Sequence, residues 1–491
     1  MHHLTEQSAC GLAAAIRRGD VSSREVVDAH IKRLQSLGTF VNAVAADRFE
    51  AARQEADIVD AHLAQAPARA DDLGLPPLLG VPFTVKETIE LEGMPVSAGV
   101  LARRAHRAQQ SAPVAQRLID AGAIPIAVTN TSELTLWIES ENPLYGRTNN
   151  PYDHRRTAGG SSGGEGAAVG TGGAPFGLAS DIAGSIRIPA LFCGVFGHKP
   201  SAGLVPNTGL WPPSTGSSGQ LLGTGPIARR AEDLMPVLRL IAGPDGRDPS
   251  VENTRLGDPA VVALSGLSVT TVEHSARVPL SPEIRDARER AVGALLARGA
   301  EVREVELRAW QRAVMPYLAT LQAASGAEDA KSTAALLQEA GEPRPTWRSV
   351  LRERRRHSGP TRVALAAEML PDGGPESKRR AKLLDAGRAL VSELREVIGD
   401  GVLLHPAHVR VAPRHRRTLG KPWLMTPAAV FNLAGVPVTE VPLGLSRDGL
   451  PVGVQVAGAR GADHVTIAVA LELERIFGGW VPPPALAAIA G

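Results

Sequence analysis

The chain has 491 residues, 43% of them hydrophobic and 21% charged, a balance that supports a large buried core and excludes bulk disorder. Its formal net charge of +2 gives no electrostatic drive toward nucleic acid, and the Arg352–Arg356 cluster, interrupted by Glu353, reads as a solvated helix face. Cys10 and Cys193 are too few for a disulfide framework and fit a reducing cytoplasm. The start Met-His-His soon meets Glu6 without a basic and then apolar block, and no 18-residue apolar run follows, so neither a signal peptide nor a membrane anchor is expected.

The chain opens with helices. In VSSREVVDAHIKRLQSLG, Ser22 and Glu25 have capping-box spacing, and Val27, Ile31 and Leu34 share one helical face. A second helical pattern runs through AARQEADIVDAHLAQ, and a Pro-containing loop follows over 67–77. LLGVPFTVKE then reads as a buried strand, VAQRLIDAG as a helix closed by Gly122, and AIPIAVTN as the next strand. Beyond a Gly-rich stretch the alternation resumes. PAVVALS is expected as a strand, Ser281 and Pro282 as the start of a helix ending at Gly299, and EVREVEL as another strand. From 309 to 394 the text is Ala- and Arg-rich and mostly helical. VTEVPLGLSRDGLPVGVQVAG gives two strands joined through Asp448-Gly449, and DHVTIAVALELERIFGG a closing helix. The alternation predicts an α/β fold. With no long linker, it reads as a single domain over 1–491: a helical arm (1–66), a sheet core (67–308), a helical insertion (309–394) and a return to the sheet (395–491).

The stretch GGSSGGEGAAVGTGGAPFGLASDIAGS, residues 159–185, holds ten glycines and four serines among 27 residues and contains no lysine. Without Gly-Lys-Ser/Thr it is not a Walker phosphate loop. The dinucleotide fingerprint fails because Pro175 takes the third glycine position. Gly-Gly-Ser-Ser-Gly, 159–163, matches the hydrolase elbow on paper, but the polar run from Arg155 to Gly160 is not the strand an elbow needs. Ser-x-x-Lys, His-Glu-x-x-His and His-x-His are absent, and Pro406 between His405 and His408 argues against a helical metal-ligand pair. What remains is a lysine. Of 53 basic residues only seven are Lys, yet Lys86 closes the apolar strand pattern Leu78 to Val85. Burial there lowers a lysine's pKa and makes a neutral amine available as a base, whereas a strand-end lysine reaching solvent is the plainer reading of that position alone.

Gly-Val-Pro-Phe-Thr-Val-Lys86, GGSSGGEGA and SDIAGSIRIPALFCGVFGHKP together resemble the amidase signature family, and the resemblance extends through FNLAGVPVTEVPLG and DGLPVGVQVAG to the final helix. GGSSGGEGA and RIFGGWVPP look most similar to its fatty acid amide hydrolase branch. The resemblance implies a many-stranded mixed sheet covered by helices on both faces and a Ser-Ser-Lys triad. Ser185 would be the nucleophile, Ser161 a bridging serine preceded by a cis peptide bond, and Lys86 the terminal base. The backbone N–H groups of Ile182, Ala183, Gly184 and Ser185 would form an oxyanion hole, with no metal or cofactor required. Ala183 departs from the family's Gly-Gly-Ser.

Around these residues, Ser162 reads either as a partner of Lys86 or as a loop-fixing serine. Asp181 either orients the oxyanion loop or caps its turn. Arg187 reads as paired with an acidic scaffold group, Cys193 as core, and Thr135, Leu136 and Trp137 as packing in a segment that walls the acyl site in relatives. The expected substrate is an amide with an uncharged, hydrophobic acyl group, suggested by Ile186, Ile188, Leu191 and Phe192 beside Ser185. A homodimer is admitted and no nucleic-acid partner is expected. The alternatives are the amidase component of a tRNA-dependent amidotransferase, against which Trp423-Leu424-Met425-Thr426 stands, and a non-catalytic binding protein on the same scaffold.

Overall fold

Ser22 and Glu25 form the expected capping box: the Glu25 N–H donates to Ser22 Oγ at 3.0 Å, and the Ser22 N–H to Glu25 Oε2 at 2.9 Å. The computed structural model describes residues 4–65, 74–214, 216–273, 277–325 and 377–484. Its N-terminal part runs α1 (Ala9–Arg18), α2 (Ser23–Val41), β1 (Val44–Asp47), α3 (Phe49–Gln65), β2 (Pro82–Lys86), α4 (Pro113–Asp120) and β3 (Ile124–Thr129). A small hairpin, β4 (Glu141–Asn142) and β5 (Gly146–Arg147), precedes α5 (Gly163–Gly170), β6 (Phe176–Asp181), α6 (Arg187–Cys193) and β7 (Phe196–Lys199). Then come α7 (Gly216–Gly219), β8 (Gly223–Ala228), α8 (Leu234–Ile241), β9 (Ser268–Glu273), α9 (Pro282–Ala297), β10 (Glu301–Glu306) and α10 (Val314–Ser325). The last part holds α11 (Lys378–Ile398), β11 (Val402–His405), α12 (Thr426–Ala434), β12 (Val438–Leu445), β13 (Pro451–Gly458) and α13 (Asp463–Phe477).

Eleven strands form one sheet in the order β1-β3-β2-β6-β8-β7-β12-β13-β11-β9-β10. It is mixed: β2 runs parallel to both β3 and β6, whereas β8, β7, β12 and β13 pair antiparallel in turn. Successive side chains of β6 enter opposite layers, Leu178 joining the core of α4 and α8 and Ala179 the core of α2 and α5, so helices cover both faces. Among the described residues no helix is long and apolar enough to cross a membrane.

The structure departs from the sequence pattern in two places. Pro259–Val261, expected within a strand, is a 3₁₀ turn capped by Asp258, whose Oδ1 accepts the Ala260 N–H at 3.1 Å, and Val261 is exposed. The strand follows instead at Ser268–Glu273, after Gly266 turns the chain with φ 77°. The Gly-rich stretch, which carried no strand or helix signal, contains α5 and β6. Its glycines permit close packing: a Cβ at Gly166 would lie 2.9 Å from Pro189 Cβ on α6. The insertion expected over 309–394 falls largely on 326–376, outside the described residues, as does the Arg352–Arg356 cluster.

Because β2 and β6 are parallel neighbours, with Val85 opposite Leu178, their carboxyl ends bring Lys86 beside Ser180. Farther along the sheet, Glu440 on β12 is buried and neither of its carboxyl oxygens has a hydrogen-bond partner among the described residues. Burial pushes this carboxyl well above its ordinary value, with Arg187 opposing. An unfolded glutamate releases its proton near pH ~4.3 while the folded one keeps it, so folding loses stability as pH rises above that point, by up to ~1.4 kcal/mol per unit. Glu440→Gln removes this dependence. Urea unfolding should show the variant gaining on wild type between pH 5 and pH 8, and a constant difference would mean that Glu440 is paired.

Candidate active site

All five residues of β2 are buried, and Lys86 at its carboxyl end is 0% exposed. Its Nζ donates to Ser161 Oγ at 2.7 Å and Ser180 Oγ at 3.1 Å, with the Ser180 carbonyl at 3.5 Å. Burial drives its pKa down to about 7, while the charges of Asp181 and Glu165 pull the other way. Glu165, on α5, is itself pushed up to about 7 by burial, although Thr129 and Thr84 hydroxyls donate to its carboxylate. Lys86 thus combines a lowered pKa with two hydroxyl neighbours, those of Ser161 and Ser180.

The Gly160–Ser161 peptide bond is cis. The Ser161 carbonyl accepts from Thr131 Oγ1 at 2.9 Å, Ser140 Oγ at 2.9 Å and the Ser132 N–H at 3.2 Å, so the 131–140 segment clasps the turn that presents Ser161. Ser162 fixes the loop: its Oγ donates to the Ser180 carbonyl at 3.3 Å, and its N–H donates to the Ser185 carbonyl at 3.3 Å. That backbone bond brings the Ser161 turn against Ser185. The Ser161 and Ser185 side chains share no hydrogen bond among the described residues, in line with the loose geometry common before substrate binds.

Ser185, 5% exposed, ends the turn that leads from β6 into α6. Asp181 both orients and caps that turn. Its Oδ1 accepts the Gly184 N–H at 2.7 Å and its Oδ2 the Ile186 N–H at 3.1 Å. Arg187 completes a buried pair, Nε to Oδ2 at 2.9 Å and Nη2 to Oδ1 at 3.0 Å. Burial opposes ionisation of Asp181, yet Arg187, Lys199 and the Gly184 N–H hold its carboxyl well below the usual range. The N–H groups of Ile182, Ala183 and Ser185 have no partner among the described residues, and Ile182 and Ala183 are half-buried. The expected set of four open donors is thus three, because Asp181 takes the fourth, that of Gly184. The left-handed residue of the turn is Gly184, with φ 109°, whereas Ala183 keeps an ordinary φ. The methyl of Ala183 therefore meets no conformational objection.

The structure brings Lys86 and Ser161 into contact beside the Ser185 turn and adds Ser180, which the sequence did not point to, because the short run FGLASD with Gly177 in it gave no clear strand signal. Thr131 and Ser140 carry no sequence signal for their place on the Ser161 turn. Ile186, Ile188, Leu191 and Phe192 are buried in the packed core, and Ile188 lies against Gly184 of the turn. His405 and His408 each hydrogen-bond a neighbouring backbone carbonyl through Nδ1 at 2.9 Å.

Lys86, the turns at Ser161 and Ser185 and three N–H groups without partners among the described residues thus gather at the carboxyl ends of β2 and β6, and comparison with known proteins supplies the family. Residues 25–467 match the Amidase family model. The chain is 40% identical to Fatty-acid amide hydrolase 2-A of Danio rerio over 97% of its own length and 90% of the relative's. It is 30% identical to one of the subunits of Glutamyl-tRNA(Gln) amidotransferase from Synechococcus sp. (strain CC9605), over 90% and 91% of the two chains. Its fold superposes on 6-aminohexanoate cyclic dimer hydrolase with a TM-score of 0.81 at 25% identity, covering 98% of this chain and 99% of that one. The chain belongs to the amidase family and is an amide-hydrolysing enzyme.

The turn makes a paired prediction. Ala183→Gly should change stability by no more than about 1 kcal/mol. Gly184→Ala would strain the left-handed position and set a methyl 2.6 Å from Ala428 Cβ. Its cost should be roughly 2 kcal/mol or more, with loss of activity. Urea unfolding of both variants tests the pair, and equal effects would move the constraint away from Gly184.

Proposed function

We propose that the enzyme hydrolyses a carboxylic amide through an acyl-enzyme on Ser185, with Ser161 and neutral Lys86 as the proton relay. The observation that carries this reading is the fully buried Lys86 Nζ, 2.7 Å from Ser161 Oγ and depressed to about 7. Neutral Lys86 takes a proton from Ser161 as Ser161 takes one from Ser185, whose oxygen then attacks the amide carbonyl. The oxyanion forms against the N–H groups of Ile182, Ala183 and Ser185, while Gly184 supplies the turn. Reversal of the relay protonates the departing ammonia or amine, and water repeats the sequence to release the acid. No metal or cofactor enters the scheme.

The acyl group is proposed to be uncharged and hydrophobic. Support comes from the likeness to a protein named Fatty-acid amide hydrolase 2-A and from a separate apolar cluster of Val100, Leu134, Leu136 and Trp211. That cluster lies between two segments of the site. The Trp211 N–H donates to the Thr88 carbonyl, just beyond Lys86, and Leu134 follows Ser132 in the segment holding Ser161. An octanoyl anilide should therefore be turned over faster than the monoanilide of an eight-carbon dicarboxylic acid, whose acyl group ends in a carboxylate, and the reverse preference would reject this acyl class. A stand-alone amidase is favoured over an amidotransferase component because the chain is more similar to Fatty-acid amide hydrolase 2-A, at 40% identity, than to the amidotransferase subunit, at 30%.

Lys86 can be tested by leaving-group chemistry. An amine must be protonated as it departs, whereas the p-nitrophenolate of an ester leaves unaided. Lys86→Ala should lower p-nitroanilide turnover by roughly 10²–10⁴-fold and p-nitrophenyl ester turnover by much less, with the protein still folded. In wild type, kcat/KM should fall on the acid side of about 7, where the ammonium cannot accept a proton. Equal losses on both substrates with an unchanged acid limb would mean that Lys86 is not the base.

A further inference from the structure

In a trans peptide the C=O and N–H point to opposite sides, so fixing one end aims the other. The turn before α6 applies this three times. The Asp181 carbonyl accepts from Asn432 Nδ2 at 2.8 Å, the Ile182 carbonyl from Tyr317 Oη at 2.7 Å, and the Gly184 carbonyl from the Ile188 N–H at 2.8 Å. The opposite ends of these peptides are the N–H groups of Ile182, Ala183 and Ser185, the three without partners among the described residues. The remaining peptide is held the other way round, by its Gly184 N–H on Asp181.

The three holders differ. The Ile188 N–H is part of the helix, and Asn432 also serves Arg187, the Asp181 side chain and the Leu221 carbonyl. Tyr317 has one polar task. Its ring is buried in the main core, 1% exposed, and its hydroxyl makes a single hydrogen bond among the described residues, to Ile182. It reaches the turn from α10, 135 positions away in sequence, and donation to the carbonyl also polarises the peptide so that its N–H becomes a stronger donor.

We propose that Tyr317 is a positioning residue for catalysis, holding the Ile182–Ala183 peptide so that the Ala183 N–H meets the oxygen of the tetrahedral intermediate. The inference rests on the Ser185 acyl-enzyme reading, and it ties the oxyanion site to α10. Since the oxyanion develops with amides and esters alike, Tyr317 differs in signature from Lys86, whose loss falls mainly on amides.

The test compares wild type and Tyr317→Phe on octanoyl p-nitroanilide and p-nitrophenyl octanoate. The expected result is a fall in kcat of roughly 10-fold on both, KM within about 2-fold, and an acid limb unchanged. The affinity of a trifluoromethyl ketone, which mimics the tetrahedral oxyanion, should weaken by the same factor as kcat/KM. Unchanged kcat, a loss confined to KM or to the amide, or an unaltered ketone affinity would overturn the proposal. If Tyr317→Phe does not fold, 3-fluorotyrosine at this position decides. It keeps the ring and donates more strongly, so kcat should rise on both substrates, and any other result overturns the proposal. Turnover retained by Ser185→Ala would instead remove the acyl-enzyme reading itself, and this inference with it.

Discussion

The buried ion pair between Asp181 and Arg187 is the constraint on which the rest of the site depends. Asp181 closes β6, and its two carboxylate oxygens hold the Gly184 and Ile186 N–H groups on either side of Ser185. Arg187 opens α6 and extends the pair outward, to Gln455 on β13, Asn432 on α12 and the Ala428 carbonyl. Both side chains are 0% exposed. Removing one partner of such a pair strands a charge in the core, a loss of ~3–5 kcal/mol. The pair therefore fixes the Ser185 turn to the sheet and to α12 together, and the N–H groups of that turn without partners among the described residues inherit its rigidity.

Electrostatics alone does not single out the proposed base. Lys199 is also fully buried and also lowered to about 7, by burial and by Arg187, against the pull of Asp181 and Asp463. Its Nζ donates to the Pro200 carbonyl at 2.7 Å, a partner with no proton to exchange, whereas Lys86 faces two hydroxyls. Geometry thus separates two lysines that titrate alike. The same reasoning disposes of a second grouping, His198, Asp463 and Ser201. Asp463 stands in the middle, accepting from Ser201 Oγ at 2.5 Å and meeting His198 Nε2 at 3.1 Å, so the imidazole never reaches the hydroxyl. This cluster straps the end of β7 to the start of α13.

Lys86 drew notice because a lysine ending an apolar strand conflicts with its surroundings, and such conflicts point to function. Ser161 and Ser185 carried no such signal of their own and were picked out by the family resemblance of the motifs that hold them. The regular elements were legible through periodicity: the Ser22 capping box, the strand ending at Lys86 and the turn at Asp448-Gly449 all rest on local patterns. What stayed hidden depends on contacts distant in sequence. β6 was masked by the glycine-rich text before it and by its own Gly177, and Ser180 with it, because glycine carries no alternation to read. Tyr317 sits in a helical stretch with no sequence feature pointing to Ile182. The apolar run at Val261 and Val262 misled because a capped 3₁₀ turn leaves Val261 exposed, a result that only the tertiary environment decides.

The density of glycine between 159 and 185 follows from the same crowding. A Cβ at Gly160 would lie 2.6 Å from the Glu139 nitrogen and the Trp137 oxygen, and one at Gly177 would overlap Glu165 Oε1. Side chains are absent there because backbone and carboxylate occupy the space they would need. Peptide groups thus come close to Ser185 alongside the Asp181–Arg187 pair, and a peptide group is a useful donor only when its direction is held. Carbonyl ends tied to Asn432, Tyr317 and the first turn of α6 supply that direction from three separate elements. The glycine run is thus neither a flexible linker nor a phosphate cradle. It is tightly packed backbone whose N–H groups are held in fixed directions, which is the condition the proposed oxyanion role requires, since donors already in place stabilise developing negative charge without reorganising.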